Sequence, residues 1–235
     1  KSTLVDKIAT TLLLEGHRVA ILAVDPSSPF TGGAVLGDRI QMTEAAEQSG
    51  LYIRSLATRG ALGGIAVSTR YAAAVLDAAG FDFILIETVG VGQAEIDIVK
   101  LADITAVVVV PGMGDTVQSL KAGILEIADV FIVNKADYDG ADRLVRELQS
   151  LGELSGSRIP IAKVIATQGE GIEELCRIIQ SALKARAESG ELRSRRLVAA
   201  EGLLLERLRE LVADTIIERS RSGGEWDLAV RELND

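Results

Sequence analysis

The chain of 235 residues contains one cysteine, Cys176, and one histidine, His17, and both scarcities exclude kinds of chemistry. A single cysteine cannot close an intramolecular disulfide or supply a cysteine-based metal cluster. The sequence also contains no zinc-spaced ligand set and no Ser-His-Asp arrangement. Cys176 lies in a helical pattern and is interpreted as a small buried hydrophobe. His17, beside Gly16, is interpreted as a surface turn residue.

Long apolar runs and a positive charge balance are also missing. No stretch of 18 or more apolar residues occurs, so the sequence predicts no transmembrane helix and no membrane partner. The 34 acidic residues outnumber the 25 basic ones, and the net charge of −9 argues against a nucleic-acid partner, whose phosphates would be repelled. Hydrophobic residues are abundant, at 48%, which is enough for a buried core in one domain with an appendage.

Strand-like and helix-like patterns alternate along most of the chain. Several predicted strands are continuously apolar and β-branched, as expected for parallel strands covered on both faces. The predicted strands are Val19–Val24, Tyr52–Leu56, Phe83–Thr88, Thr105–Val110, Val130–Asn134 and Ile161–Ala166. The predicted helices are Thr3–Glu15, Arg39–Gln48, Ile65–Ala79, Ala94–Ala102, Val117–Ile127, Gly140–Leu151 and Gly171–Ala187. This alternation predicts a three-layer α/β sandwich with a mostly parallel sheet, in which ligands bind at the carboxyl ends of the strands.

The pattern changes after about Leu183, so the sequence predicts a domain of residues 1–183 and a helical extension of residues 184–235. Lys184–Arg196 is charged, and the long helix that follows carries an apolar stripe. Gly223-Gly224 ends this helix, and a short helix that contains Trp226 follows. The stripe must be buried, either against the sandwich or against a second subunit.

The apolar run Val130–Val133 is followed directly by Asn134-Lys135-Ala136-Asp137, a motif typical of loops that read guanine. The carboxylate of Asp137 can accept two hydrogen bonds from the guanine edge, whereas adenine offers a lone pair where guanine offers a ring proton. The stem of Lys135 can lie along the flat face of the base. The amide of Asn134 can bond to guanine or tie neighbouring loops together, and the sequence leaves both roles open.

The first three residues, Lys1-Ser2-Thr3, precede an amphipathic helix and look like the end of a phosphate loop, G-x-x-x-x-G-K-[ST]. In that motif the lysine reaches the β- and γ-phosphates and the serine hydroxyl, here Ser2, binds Mg²⁺. Backbone N–H groups at the helix start hold the phosphates. The alternative is that these residues only cap a helix. We expect the loop glycines and the strand before them to be missing from this chain.

The strand Phe83–Thr88 contains Glu87 near its carboxyl end and runs into the turn Gly90-Val91-Gly92-Gln93. Glu87 can hold Mg²⁺ through water or orient the attacking water. Gly90 and Gly92 let the backbone approach a γ-phosphate closely and move when it leaves. The alternative is a strand that ends in an ordinary glycine turn, with Glu87 as a helix cap.

Further candidates follow other strands. Asp25 ends a strand and can hold Mg²⁺ through water, or form an Asp-Pro turn with Pro26. Asp38 can reach the metal or the nucleophilic water, or cap the helix that follows it. The stretch Pro111–Lys121 follows a strand, with an ordinary strand-to-helix loop as the alternative. Ala166-Thr167 can contact guanine through backbone N–H groups.

The strings V-D-P-S-S, G-G-A-V-L-G-D, E-T-V-G-V-G-Q, P-G-M-G-D and N-K-A-D together resemble the methylmalonyl-CoA mutase-associated GTPases. These are also called MeaB-like or ArgK-like proteins, and older descriptions call them LAO/AO transport ATPases. The resemblance runs through nearly the whole chain. It implies a P-loop GTPase fold of the signal-recognition and metal-insertion class, and a homodimer formed through the C-terminal extension.

The resemblance also implies residue roles. Lys1, Ser2 and Thr3 would end the phosphate loop, and Asn134, Lys135 and Asp137 would read guanine. Lys1, Asp38 and Glu87 would carry catalysis, and Ser2, Asp25 and Glu87 would hold Mg²⁺. Gly90, Gly92, Gln93, Gln118 and Lys121 would relay the nucleotide state to a partner. Ala166-Thr167 departs from the Ser-Ala of many GTPases, which matters little because the backbone can make that contact.

The implied function is a GTP-binding and GTP-hydrolysing switch that uses Mg²⁺ and gates cofactor loading of an adenosylcobalamin-dependent acyl-CoA mutase. The implied location is the bacterial cytoplasm, or the mitochondrial matrix in a eukaryote. One rival is a kinase or ATPase associated with basic amino-acid transport. A nickel-insertion GTPase is disfavoured because one histidine and one cysteine supply few soft or imidazole ligands. A module that binds no nucleotide is the third rival, because the phosphate loop of this chain is expected to be incomplete.

Overall fold

The computed structural model describes residues 1–25, 49–57, 67–88, 94–112, 127–155 and 158–223, together with Trp226. The predicted helix Arg39–Gln48 and all but the last residue of the predicted helix Val117–Ile127 lie outside the described residues. The predicted short C-terminal helix, apart from its Trp226, also lies outside the described residues.

The described strands and helices alternate as the sequence predicts. The strands are β1 Val19–Asp25, β2 Leu51–Ala57, β3 Phe83–Thr88, β4 Ala106–Val109, β5 Val130–Asn134 and β6 Ile161–Val164. The helices are α1 Ser2–Leu14, α2 Val67–Ala78, α3 Ala94–Leu101, α4 Ala141–Ser155, α5 Ile172–Ser189 and α6 Glu191–Gly223. Most boundaries fall within two residues of the predicted ones, because apolar runs and turn glycines mark them clearly.

The described strands form two three-stranded sheets in which every pairing is parallel. β1 lies between β2 and β3, and β5 lies between β4 and β6. The central strands are the buried ones: Val19 and Ile21 of β1 are 0% exposed, and β5 is buried along its whole length. This confirms the predicted α/β class with a mostly parallel sheet.

Helices cover both faces of each central strand, which explains why these strands are apolar up to their last residue. Val19 and Ile21 face a core shared with α1 and α5, whereas Ala20 and Leu22 pack with α2. In β5, Ile132 belongs to the core shared with α1 and α5, and Phe131 packs with α4. The period-2 alternation of strand side chains thus produces the three predicted layers.

Helices α1 and α5 pack against each other over the shared core. Leu4, Ile8 and Leu12 form the buried stripe of α1, and Cys176 of α5 is 1% exposed in the same cluster. Burial raises the pKa of the Cys176 thiol to about 11, so the thiol behaves as the predicted small hydrophobe. At the far end of α1, Gln180 of α5 donates a hydrogen bond of 2.7 Å to Glu15.

The carboxyl end of α5 is held by Arg186. Its guanidinium forms a two-pronged ion pair with Asp129, which precedes β5, and donates a bond of 2.6 Å to the carbonyl of Asp103. Asp129 also accepts a 2.8 Å bond from the Thr105 N–H at the start of β4. The Arg186 and Asp129 side chains are only 14% and 13% exposed, and their hydrogen bond raises the pKa of Arg186.

The chain divides into two compact units, Lys1–Arg193 and Ser194–Asp235. The division lies ten residues beyond the predicted boundary at Leu183, because α5 continues to Ser189 and its end is bound to the start of β5 through Arg186. The assignment of residues 184–235 as a dimerisation region stays a prediction.

Helix α6 has 33 residues, and none of its described residues is buried. Its exposed apolar side chains are Leu197, Val198, Leu204, Leu205, Leu208, Leu211, Val212 and Ile216. Among the helices of the described ranges, none has the length and apolar character needed to cross a membrane.

Replacing Asp129 with alanine is expected to lower the free energy of unfolding by about 2–3 kcal/mol. The change leaves the largely buried Arg186 guanidinium with only the more exposed Glu191 as an ion-pair partner, and leaves the Thr105 N–H without its acceptor. Urea denaturation measures the loss. Glu188→Ala is the matched control, because it breaks an exposed pair with Lys184 on the same helix and should change little. Equal effects of the two substitutions would contradict the anchoring role of Asp129.

Candidate functional site

The first turn of α1 lies at the carboxyl end of β3. The Ser2 hydroxyl donates a 3.1 Å hydrogen bond to Oε1 of Glu87, and the Lys1 ammonium donates to the Thr88 carbonyl at 3.4 Å. Ser2 is buried, with 6% exposure, although it begins the chain's first helix. The structure therefore brings Lys1 and Ser2 close to the end of β3, although Glu87 lies 85 residues after Ser2 in the sequence.

The start of α1 has the properties of an anion site. Its first intrahelical bond runs from the Val5 N–H to the Lys1 carbonyl at 3.0 Å, so the N–H groups of Ser2, Thr3 and Leu4 precede the helical ladder. Lys1 stands at the N-cap without a side-chain capping bond, and the first turn contains no acidic residue. Free backbone donors and the positive end of the helix dipole favour phosphate here.

Ser2 and Glu87 present hydroxyl and carboxylate oxygens to each other, which is the donor chemistry that Mg²⁺ prefers. No group of three or more His, Cys, Asp or Glu side chains suited to a metal occurs within the residues that the structure describes. Mg²⁺ usually takes one or two protein oxygens and completes its shell with waters and phosphate. Asp25 is the last residue of β1, and Glu87 lies near the carboxyl end of the neighbouring parallel strand β3. The side chain of Asp25 lies outside the described residues.

Asn134 ties together the loops that follow β5 and β6. Its side-chain oxygen accepts a 2.8 Å bond from the Lys135 N–H and a 3.3 Å bond from the Ala166 N–H, and the residue is 8% exposed. Of the two roles that the sequence leaves open for Asn134, this geometry supports the tie between loops. It also commits the Ala166 N–H to Asn134, whereas a base contact by Thr167 stays a prediction.

Lys135 is the one non-glycine residue with a positive φ among the described residues, at +58°. That left-handed conformation is costly for a lysine and persists only where neighbours hold it. The Asn134 side chain binds its N–H, and its carbonyl accepts a 3.0 Å bond from the Tyr138 N–H. The turn leaves the side chains of Lys135 and Asp137 exposed at the strand end, where a base could reach them.

The loop after β6 is shaped by two glycines with positive φ. Gly169 and Gly171 have φ of +76° and +77°, and Gly171 precedes α5. A Cβ at Gly171 would lie 2.2 Å from the Lys163 carbonyl oxygen, whereas a Cβ at Gly169 would meet nothing within 4 Å. Gly171 thus fixes the close approach of this loop to β6.

The remaining predicted site residues cannot be compared with the structure. Asp38, Gly90, Gly92, Gln93, Gln118 and Lys121 lie outside the described residues. One feature that the sequence analysis missed is Tyr138, whose ring lies 5.3 Å from the Lys135 ammonium. The signal that could have indicated this contact is an aromatic residue directly after Asp137, three positions from Lys135.

Parallel strands covered by helices on both faces are the architecture of the P-loop GTPase class. The start of α1 and the loop Asn134–Asp137 both lie at carboxyl ends of such strands, where these sheets bind ligands. The family described as Methylmalonyl Co-A mutase-associated GTPase MeaB matches residues 1–225, and the chain belongs to this family. The resemblance noted in the sequence is thereby confirmed at the level of the family and its fold.

Two relatives illustrate the match. A Pyrococcus abyssi protein named as a candidate GTPase is 45% identical over 244 residues, which cover 100% of this chain and 74% of that protein. The mouse protein named methylmalonic aciduria type A homolog, mitochondrial, is 37% identical over 204 residues, which cover 83% of this chain and 49% of that protein.

A solved structure agrees with the fold. The crystal structure of a LAO/AO transport system kinase superposes with a TM-score of 0.70 at 25% identity, over 90% of this chain. The match spans 64% of that solved chain, a little less than two thirds of its length.

Replacing Gly171 with alanine is expected to destabilise the protein clearly more than replacing Gly169. Both changes force a Cβ into left-handed backbone, which costs about 1–2 kcal/mol, but only Gly171→Ala also drives the Cβ into the Lys163 carbonyl. Urea denaturation of the two variants measures the difference. Equal losses would show that the loop can shift away from β6 without cost.

Proposed function

We propose that this protein binds and hydrolyses GTP as a molecular switch and gates the cofactor loading of an adenosylcobalamin-dependent acyl-CoA mutase. The observation that carries the nucleotide half of the proposal is the 3.1 Å bond between Ser2 and Glu87 at the end of β3. It joins the start of a phosphate-binding helix to a carboxylate from a distant segment, as a site for a triphosphate and its cation requires.

Each group has a definite task in this proposal. Lys1 neutralises the β- and γ-phosphates, and the N–H groups at the start of α1 donate to their oxygens. Mg²⁺, held by Ser2 with Asp25 and Glu87, would supply charge stabilisation. Asp38 and Glu87 orient the attacking water, and catalysis is mainly positioning and electrostatics.

Base recognition in the proposal belongs to the loop after β5. Asp137 accepts from the ring N–H and the amine of guanine, and Lys135 lays its stem along the base. The side-chain oxygen of Asn134 holds the Lys135 and Ala166 N–H groups, and its amide NH2 group can donate to the guanine edge. Thr167 contributes a backbone N–H.

The partner half of the proposal is supported by the family's description and by the name of the mouse relative, which refers to methylmalonic aciduria. Gly90, Gly92, Gln93, Gln118 and Lys121 would carry the nucleotide state to the mutase. The exposed apolar side chains of α6, such as Leu204, Leu208 and Leu211, would pair two copies of the chain.

A kinase linked to basic amino-acid transport is the second candidate, because the solved structure of that name shares the fold. It differs in its product, since a kinase transfers phosphate to a protein or small molecule, whereas the proposed switch releases phosphate to water. A single labelled-GTP reaction therefore separates the two.

Asp137→Asn is expected to reduce the preference for GTP over ATP by about tenfold or more. An amide presents at most one acceptor where guanine offers two donors, and leaves one donor poorly matched. Competition binding between GDP and ADP measures the selectivity. Asp139→Asn, an exposed acid two residues on, is the matched control. Unchanged selectivity in Asp137→Asn would remove Asp137 from base reading.

Addition of the mutase is expected to raise GTP turnover several-fold, because no catalytic arginine is identifiable in the sequence and intrinsic turnover should be slow. Release of labelled phosphate from GTP, with and without the mutase, measures the effect. Equal rates would count against the mutase as partner. Label that remains on a protein would instead support the kinase.

A further inference from the structure

Tyr138 follows the base-reading carboxylate Asp137 and contacts the base-reading lysine. The Lys135 ammonium lies 5.3 Å from the centre of the Tyr138 ring, within the range of a cation–π interaction. The ring is 55% exposed, so it is not needed to fill the core beside β5. None of the roles assigned above uses it.

The backbone turn places the two side chains together. Lys135 has its φ at +58°, and the Tyr138 N–H closes the turn on the Lys135 carbonyl at 3.0 Å. Asn134 fixes the other side of Lys135 by accepting its N–H at 2.8 Å. The Lys135 side chain therefore projects from a fixed backbone, and its ammonium lies over a ring that the same turn supplies.

We propose that Tyr138 is a positioning residue for guanine recognition, which holds the Lys135 side chain extended before the nucleotide binds. This proposal rests on the proposed function. An exposed lysine otherwise samples many rotamers, and ordering it upon binding costs affinity. The ring face supplies the attraction, so the phenol hydroxyl is dispensable and phenylalanine can replace tyrosine.

The contact itself is tested without nucleotide. In proton NMR of the full chain, the ε-methylene protons of Lys135 should show an upfield ring-current shift in the wild type and in Tyr138→Phe. The shift should disappear in Tyr138→Leu, which keeps apolar volume but removes the ring. A Lys135 signal that is the same in all three proteins overturns the proposal.

The consequence for binding is tested by a double-mutant cycle with GDP. Tyr138→Leu should weaken GDP binding about two- to fivefold, as loss of an exposed cation–π contact implies, and Tyr138→Phe should keep most of the affinity. In a Lys135→Met background, Tyr138→Leu should have no further effect, because its action passes through the ammonium. Tyr52→Leu, at the amino end of β2, controls for loss of an exposed tyrosine ring.

The outcomes separate this proposal from the function on which it rests. Wild-type affinity in Tyr138→Leu, or an equal loss with and without Lys135, overturns the positioning role alone. Failure of the wild-type chain to bind GDP or GTP overturns the proposed function and this proposal with it. Matching thermal unfolding of the variants shows that any loss of affinity is not a loss of fold.

Discussion

Burial of both faces of the two central strands is the constraint on which the rest of the structure depends. β1 and β5 are sandwiched between helices, so their side chains must be apolar and interlocked. Polar side chains can therefore occur only where these strands end. Asp25 and Asn134 are found there, at the carboxyl ends of β1 and β5.

The candidate site combines two differently built halves. The phosphate half relies on the start of one helix, and contact with a neighbouring strand end is made by two side chains, Lys1 and Ser2. The base half relies on a buried amide, since Asn134 accepts from the N–H groups of two loops and fixes their spacing. The backbone that carries the exposed groups, Lys135 and Asp137, is thereby fixed by bonds within the loop itself.

The fold was largely predictable from the sequence, because strand and helix signals are local. β3 and β5 have the predicted boundaries, and α1 begins and ends within one residue of the prediction. What the local pattern does not show is that the end of α5 is held by Arg186 meeting Asp129, 57 residues away. The Asn134 tie and the Tyr138 contact depend on turn geometry that residue type alone does not determine, although both residues lie in or beside the motif that was recognised.

Helix α1 joins distant parts of the molecule. Its first turn bonds to Glu87, and the residue after its last turn, Glu15, bonds to Gln180 of α5. Thirteen residues of continuous helix make a stiff rod about 20 Å long. A displacement of the Ser2 end would therefore strain both the core that α1 shares with α5 and the bond to Gln180, so the strand-end chemistry is coupled to α5 through a stiff element.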